Sequence, residues 1–397
     1  MSAQVRVRSG GLSTTVQDLG RTGRYAIGMP PSGAMDQFSL RAANLLVGNE
    51  EGAAALEATY IGPTLEFTDD RVVSVTGGDA AVTLNGEPLA MWTSAAVRSG
   101  DVLAFGMISS GARPYIAVSG GVAVPEYLGS RSTYTLIGLG GHEGRTLADG
   151  DILPLGEGGT GTAGREVPAE VVPAFGSEIE VRAVVGLCSY RLTEAALDSF
   201  LETPWKVTKD ADRVGYRLRG GTLDFVEREQ PFGAGSDPAN VVDLGYPLGS
   251  IQVPGGDEPI VLLGDAVTGG GYVTIATVIS VDRDLFGQAK TGDTTGELGA
   301  LGEEAVPGVD EAAPGFLRRA QDGIDVEVGP AGRRRADVHG LVGESHPQRL
   351  GIGVRVHRDG LPAERVRCPD DADGDLTTVG DEDSGGVARA HSRTATS

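Results

Sequence analysis

Short runs of alternating apolar and polar residues cover most of the chain as far as Thr294. Between Ala55 and Leu155 the runs TLEFTD, RVVSVTGG, AAVTLNGEPL, DVLAFGMI and RPYIAVSGG show a period of two, which is typical of half-buried β-strands. Asn85 and Gly86 predict a tight hairpin turn, because both residue types tolerate positive φ angles. Strand-like runs return later in SEIEVRAVVG, SIQVP, PIVLLG and YVTIATVISVD. The pattern predicts an all-β fold.

Two segments depart from this alternation and have apolar residues at helical spacing. The first, DQFSLRAANLLVGN, offers Asp36 or Ser39 as an N-cap and Gly48 as a stop. The second, LTEAALDSFLETP, offers Thr193 as an N-cap and ends at Pro204. The sequence therefore predicts a β-rich protein with a few short helices.

Composition divides the chain into four segments. Residues 1–155 are predicted as a first β-module and residues 176–295 as a second. The intervening stretch 156–175 begins with GEGGTGTAG, which is typical of a linker. Residues 296–397 lose both periodicities and are dominated by charge. They are predicted to be largely disordered; for the stretch before Cys368 the alternatives are a weak helix plus strands, or a change of reading frame.

The charge balance limits the possible partners. The chain of 397 residues carries 55 acidic and 33 basic side chains, a formal net charge of -22, which disfavours nonspecific binding to nucleic acid or to anionic membranes. No apolar run reaches the length of a membrane span or of a signal-peptide core. Cys188 and Cys368 have no CxxC partner, and the five histidines have no metal-binding spacing. We expect a cytoplasmic protein without a metal.

Polar residues embedded in glycine-rich loops are the remaining candidates for chemistry. They occur in TVQDLGRTG, PPSGAMD, LGSRST, DRVGYRL, GSIQVP and DAVTGGGY. Arginine suits carboxylate-like groups, and side-chain amides suit urea-like or lactam groups. Each loop taken alone is also compatible with an ordinary turn, a helix cap or a solvated strand, and for PPSGAMD the turn and helix cap are favoured.

Taken together and in order, these loops resemble one family. The blocks TTVQDLGRTGRYAIGMPPSGAMDQFSLRAANLLVGN, LGSRSTYTLIGLGGHEGRTLADGD, TPWKVTKDADRVGYRL, GSIQVPGGDEPIVLLGDAVTGGGY and GQAKTGD are similar to the signature blocks of the biotin-dependent carboxyltransferase family known as allophanate hydrolase subunit 2. That family includes the C subunit of the prokaryotic 5-oxoprolinase, the antagonist of the sporulation-kinase inhibitor, and half of the urea carboxylase carboxyltransferase domain. The resemblance covers about residues 5–294.

The resemblance implies two tandem cyclophilin-like β-barrel domains and a heteromeric complex. The partners would be a subunit-B protein similar to allophanate hydrolase subunit 1 and a LamB/YcsF-like protein as the third component. The complex would hydrolyse the cyclic amide 5-oxoproline to glutamate with ATP, and this chain would be inactive alone. The alternatives are a carboxyltransferase acting on urea or a related amide, and a non-catalytic regulator that binds a kinase-inhibitor-like partner. Biotin would have to come from another protein, because the chain has no AMKM-type carrier motif.

The resemblance also suggests site residues. The catalytic candidates are Arg213, Tyr216, Arg217 and Gln252. The substrate-binding candidates are Gln17, Asp18, Arg21, Ser32, Asp36, Ser130, Arg131, Thr268, Gly269, Gly270 and Gly271. In this interpretation Arg213, Tyr216 and Arg217 form one wall of an anion-accepting site, so that Arg213→Ala abolishes turnover and leaves folding intact.

Two departures from the family pattern affect the second module. VTGGGY stands where the family more often has QTTGGY, so that Val267 and Gly269 replace polar residues. After Gly292 and Asp293 the chain continues with TTGELGAL instead of a closing strand of the VRF type. Loss of that strand would expose an unpaired sheet edge. Closure of the second barrel is therefore an open point of the prediction.

Overall fold

A computed structural model describes residues 3–158, 162–186, 188–229, 232–296 and 298–301. The prediction of a disordered or frame-changed tail lies outside the described residues from position 302 onward. The described part contains two nine-stranded sheets, one two-stranded ribbon and three α-helices. The predicted all-β class, with two tandem barrel-like modules and a few short helices, is confirmed.

The first sheet lies within residues 4–154. Its strands are β1 (Gln4–Ser9), β2 (Ser13–Gln17), β3 (Ala55–Thr59), β4 (Thr64–Phe67), β5 (Arg71–Leu84), β6 (Glu87–Pro88), β7 (Ser94–Val97), β8 (Val102–Val118) and β9 (Ile152–Pro154). The main path runs β2-β3-β8-β4-β1-β9, and β5 pairs with β6, β7 and β8. The predicted hairpin joins β5 to β6, with Asn85 and Gly86 at φ angles of 54° and 87°.

Strand β8 joins two runs that the sequence pattern separates, DVLAFGMI and RPYIAVSGG. It pairs with β5 over almost the whole length of both strands, and the register shifts three times between Gly77 and Val82. Such bulges let a long strand bend and twist without ending. Gly111, at φ 67°, lies inside the run where the pattern breaks. The break marks a bend within one strand.

The second sheet lies within residues 178–301. Its strands are β10 (Glu178–Ile179), β11 (Arg182–Val185), β12 (Lys206–Ala211), β13 (Gly215–Arg219), β15 (Ser250–Gln252), β16 (Ile260–Leu262), β18 (Thr274–Val278), β19 (Thr294–Thr295) and β20 (Gly299–Leu301). The order is β10-β19-β12-β13-β16-β15-β18-β11-β20. The ribbon pairs β14 (Asn240–Gly245) with β17 (Gly269–Tyr272).

The stretch TTGELGAL still contributes strands to this sheet. Thr294 and Thr295 form β19, which pairs with β10 and β12, and β20 pairs with β11. The unpaired edge that loss of the closing strand would expose at Thr294 is therefore absent from the described part of the sheet. The edges of the described sheet are β10 and β20.

Three α-helices and four short 3₁₀-helices accompany the sheets. They are α1 (Gln37–Leu46), α2 (Glu194–Glu202), α3 (Ser280–Gly287) and the 3₁₀ segments Tyr25–Ile27, Thr135–Ile137, Ala169–Val171 and Ser189–Arg191. Helix α1 is capped by Asp36 and α2 by Thr193, as predicted. Helix α3 is not predicted by the sequence pattern, since its segment continues the strand-like run YVTIATVISVD.

Each sheet encloses its own apolar core, and one residue crosses between them. Met35 follows the PPSG turn of the first module, yet it packs in the core of the second sheet with Phe286 and Leu263. A Cβ on Gly287 would lie 2.4 Å from the Met35 carbonyl oxygen, so only glycine allows α3 to approach this loop. The loop before α1, which carries Met35, therefore belongs to the first module in sequence but contributes a side chain to the core of the second sheet.

Candidate functional site

A buried ion cluster joins the two sheets. Glu57 on β3 accepts a hydrogen bond from Arg213 Nη1 at 2.5 Å, and Arg213 Nε donates to Asp265 at 2.8 Å. Arg213 Nη2 donates to the Gly33 carbonyl at 2.7 Å. Glu57 is 1% exposed and Asp265 is 2% exposed. Burial lowers the pKa of Arg213, but the two carboxylates outweigh it and the pKa is raised. Arg213 is fixed as a cation.

A second set of contacts lies beside this cluster. Arg113 Nη1 donates to the Tyr216 hydroxyl and to the Gly287 carbonyl. The Gln288 side chain accepts from the Arg113 amide at 2.8 Å, and it donates to the Arg113 carbonyl at 2.8 Å and to Asp36 at 2.9 Å. These residues come from β8, β13, α3 and the α1 cap. The GQAKTGD block therefore holds the sheets together through its glutamine.

The loop after β2 is organised around the Asp18 carboxylate. It accepts hydrogen bonds from the Gly20 amide, the Arg131 amide and the hydroxyls of Ser130 and Ser132, at 2.5–2.8 Å. The blocks TVQDLGRTG and LGSRST are thereby bound to each other. The Asp18 carboxylate thus serves to hold the loop that carries Arg21.

Several buried polar atoms beside this loop have no hydrogen-bond partner among the described residues. They are Arg21 Nε and Nη1, Ser32 Oγ and Gln17 Oε1. Arg21 is 1% exposed and donates through Nη2 to the Ser132 carbonyl. Burial lowers the pKa of Arg21, and Asp18 and Asp265 partly oppose that shift. A buried unpaired polar group costs roughly 1–3 kcal/mol, so such a cluster indicates a place where water or a ligand binds.

A cleft of about 400 Å³ opens next to these residues, between the first module and the second sheet. Its lining comprises Leu19, Thr22, Gly23, Tyr25, Pro31, Ser32, Ala34, Met35, Gln37, Pro247, Leu248, Leu263, Gly264 and Arg283. The Ser32 amide donates to the Gly264 carbonyl at 2.8 Å, which ties the two walls together. Burial raises the pKa of Tyr25, so its hydroxyl is protonated at neutral pH. The cleft has the size of a small-molecule site.

The four catalytic candidates do not share one wall. Tyr216 is buried and points inward to Arg113, whereas the neighbouring Arg217 is 37% exposed and pairs with Glu258 at 3.3 Å. Successive residues of a strand point to opposite faces, so the two cannot line one pocket. Arg213 lies with Tyr216 on the inner side, where its nitrogens are bound by protein oxygens. Gln252 is buried on β15.

The predicted substrate-binding residues divide into three groups. Gln17, Asp18, Arg21, Ser32, Ser130 and Arg131 gather near the cleft. The Asp36 carboxylate caps α1 by accepting from the Ser39 amide at 2.9 Å. Thr268 accepts from the Tyr246 amide through its carbonyl, and Gly269, Gly270 and Gly271 belong to β17. Their roles in binding stay predictions.

Three residues that complete the site, Glu57, Arg113 and Gln288, are not predicted from the sequence. Glu57 and Arg113 lie in β-strands, outside the glycine-rich loops, and Gln288 lies in the GQAKTGD block without being singled out as a site residue. The signal that could have found Glu57 is a single acidic residue inside the apolar run AAALEA, because a continuous apolar run is typical of a strand buried on both faces. Arg283 lies in helix α3, whose segment has a strand-like pattern.

Within the described residues, no group of three or more His, Cys, Asp or Glu side chains could hold a metal ion. No described helix is long and apolar enough to cross a membrane.

Comparison with known proteins identifies the family. Residues 27–296 match the model of the carboxyltransferase domain, subdomain A and B. The chain belongs to this carboxyltransferase domain family. It is 36% identical over 290 residues to the C subunit of the 5-oxoprolinase of Escherichia coli strain K12, an alignment that covers 72% of this chain and 88% of the relative.

Larger members of the family contain the same region as one part. The chain is 37% identical over 301 residues to the urea amidolyase of Lachancea kluyveri, which covers 72% of this chain but 16% of that enzyme. The Kluyveromyces lactis urea carboxylase superposes with a TM-score of 0.72 at 35% identity, over 76% of this chain and 27% of that one. The chain thus spans about a sixth of the amidolyase and about a quarter of the carboxylase.

Proposed function

We propose that the chain is the C subunit of an ATP-dependent 5-oxoprolinase, a hydrolase complex that opens the cyclic amide 5-oxoproline to glutamate. The observation that carries this proposal is the extent of the match to the E. coli relative, which includes 88% of that protein. The matches to urea amidolyase have the same identity but cover a sixth or less of the enzyme. A separate protein of a complex is therefore the better analogue.

The cleft supports a binding role for this chain. Its walls combine apolar side chains such as Leu19 and Leu263 with the hydroxyls of Ser32 and Tyr25. Among the described lining residues there is no carboxylate or histidine to serve as a general acid or base. The chain would bind and orient the lactam, and a subunit-B partner and a LamB/YcsF-like protein would complete the catalytic machinery. Such a complex belongs in the cytoplasm.

ATP would be bound by one of these partner proteins. The glycine-rich stretch Gly269–Gly271 is paired with β14 as part of strand β17 and does not begin a helix. A phosphate-binding loop presents free backbone amides in a turn or at a helix N-terminus, whereas these glycines lie in a paired strand. These residues do not fit a triphosphate.

Arg213 would act as a positioning residue. It holds Asp265 beside Arg21 while it anchors Glu57 across the contact. Tyr216 and Gln252 would stabilise the same region from β13 and β15. We place Arg217, which pairs with Glu258 on the outer face, outside the substrate site.

The direct test is reconstitution. The chain is co-expressed with the LamB/YcsF-like protein and the subunit-B protein, and glutamate release from 5-oxoproline is measured with and without ATP. ATP-dependent release that needs all three proteins is expected. A complete assembly without release would refute the proposal.

One alternative has its own support. The TM-score of 0.72 to the K. lactis urea carboxylase makes a urea carboxyltransferase the second candidate. In that case biotin would be supplied by a carrier protein, and activity on urea would be sensitive to avidin. Avidin-resistant activity on 5-oxoproline would decide against it.

A further inference from the structure

The cleft contains an unpaired cation. Arg283 lies on α3, half-buried, at the wall of the cleft. Its guanidinium makes no hydrogen bond or ion pair within the described part of the chain. The adjacent Asp284 accepts hydrogen bonds from the amides of Gln37 and Phe38 at the start of α1. Asp284 attracts Arg283 electrostatically, but its two oxygens are directed to the helix.

The charge of this cleft is opposite to that of the protein. The chain has a formal net charge of -22, yet Arg283 is the only charged side chain among the described residues that line the cleft. Partial burial lowers the pKa of Arg283, because it removes water from the guanidinium. A half-desolvated arginine with five donors and no acceptor is stabilised by an anion, and a carboxylate matches its planar geometry.

A second observation also points to a ligand. Ser32 lines the same cleft, is 3% exposed, and has a hydroxyl without a partner among the described residues. Its backbone is held at φ 53°, a conformation that is uncommon for serine. The cleft thus holds a cation and a buried hydroxyl, both unpartnered within the described part of the chain, between apolar side chains.

We propose that Arg283 binds the carboxylate of the substrate, so that the cleft selects a small cyclic amide with a carboxylate over a neutral amide. The inference rests on the proposed function and specifies its substrate class. The apolar lining from Leu19 and Leu263 would contact the ring, and Ser32 would hydrogen-bond its amide. Urea and an unsubstituted lactam lack the group that Arg283 requires.

The test compares ligands that differ in the carboxylate. The full chain, alone and assembled with its partner proteins, is titrated by calorimetry with 5-oxoproline, with 2-pyrrolidinone and with urea. The wild-type chain should bind 5-oxoproline best. Arg283→Gln should weaken 5-oxoproline binding roughly 10- to 100-fold, the range for a hydrogen bond to a charged group, and should leave 2-pyrrolidinone binding unchanged. Arg283→Lys should retain part of the preference.

The matched control is Arg24→Gln, which removes one positive charge from an exposed position on the adjacent loop. It should leave all three affinities unchanged. Unchanged 2-pyrrolidinone binding also shows that the cleft of the Arg283→Gln variant is folded. The inference is overturned if the wild-type chain binds both lactams equally, if Arg283→Gln keeps the preference, or if neither the chain nor the assembly binds 5-oxoproline.

Turnover separates this inference from the proposed function. If wild-type and Arg283→Gln assemblies both release glutamate with the same KM for 5-oxoproline, Arg283 does not bind the substrate carboxylate. The proposed 5-oxoprolinase function would still stand. If the assembly releases no glutamate but the chain's preference for 5-oxoproline depends on Arg283, the binding site stands. The proposed 5-oxoprolinase function would then be refuted.

Discussion

Replacing Arg213 should unfold the contact between the two sheets, and this outcome is opposite to the one expected from the sequence. In Arg213→Met the buried Asp265 carboxylate loses the donor to both its oxygens, while Glu57 keeps one cationic partner, Arg113, at 3.7 Å. Breaking a buried ion pair by removing one partner costs roughly 3–5 kcal/mol, because a charge is left uncompensated. We expect a loss of stability in that range, and any loss of turnover would follow from it.

The matched control is Arg217→Met. Arg217 also pairs with a carboxylate, Glu258 at 3.3 Å, but the two side chains are 37% and 24% exposed. Exposed pairs contribute roughly 0–1 kcal/mol. Both variants lose one arginine from the same segment. The difference between their losses in free energy of unfolding therefore reports the effect of burying the ion pair, and not the effect of removing one positive charge.

Urea unfolding followed by tryptophan fluorescence is the assay. The chain has two tryptophans, Trp92 packed against α1 and Trp205 in the core of the second sheet, and both are buried. A Trp92→Phe background isolates the signal of Trp205. In a double variant, Asp265→Asn should recover part of the stability lost in Arg213→Met, since both Asp265 carboxylate oxygens accept from Arg213 and lose their donor when it is removed. A loss in Arg213→Met no larger than that in Arg217→Met would refute the reasoning.

Two further variants probe other contacts. Gln288→Leu leaves buried backbone groups of Arg113 unpaired, which should cost roughly 1–3 kcal/mol for each group in urea unfolding; a loss below about 1 kcal/mol in total would contradict the assigned contacts. Hydrogen bonds from Arg145 lower the pKa of Asp151, so its carboxylate stabilises the fold above the unfolded pKa of about 3.9 and less as pH falls below it. The stability deficit of Asp151→Asn should therefore be full at pH 7 and shrink below about pH 4; a pH-independent deficit would contradict this.

Local signals account for what could be predicted from the sequence. The Asp36 cap of α1, the Thr193 cap of α2 and the turn at Asn85 each depend on residues within four positions of one another. Helix α3 lacks such a signal, because Ile279 at its N-cap has no side chain that can accept a hydrogen bond. Its acidic residues are bound by partners about 100 residues or more away, as when Asp282 accepts from Arg182 at 2.8 Å.

Because sequence signals are local, they could not show that Arg213 binds protein carboxylates instead of a substrate anion. An arginine in a glycine-rich loop has the same local sequence whether it binds a substrate carboxylate or a protein carboxylate, and Glu57 lies 156 positions away. The blocks PPSGAMD, DRVGYRL and GQAKTGD meet at one contact, where Arg213 donates to the Gly33 carbonyl and Gln288 donates to Asp36. Arg283, in no such block, keeps its donors unpaired within the described residues at the wall of the cleft. The polar groups available to a ligand are those that the protein leaves unpaired, and only the folded arrangement distinguishes them from the rest.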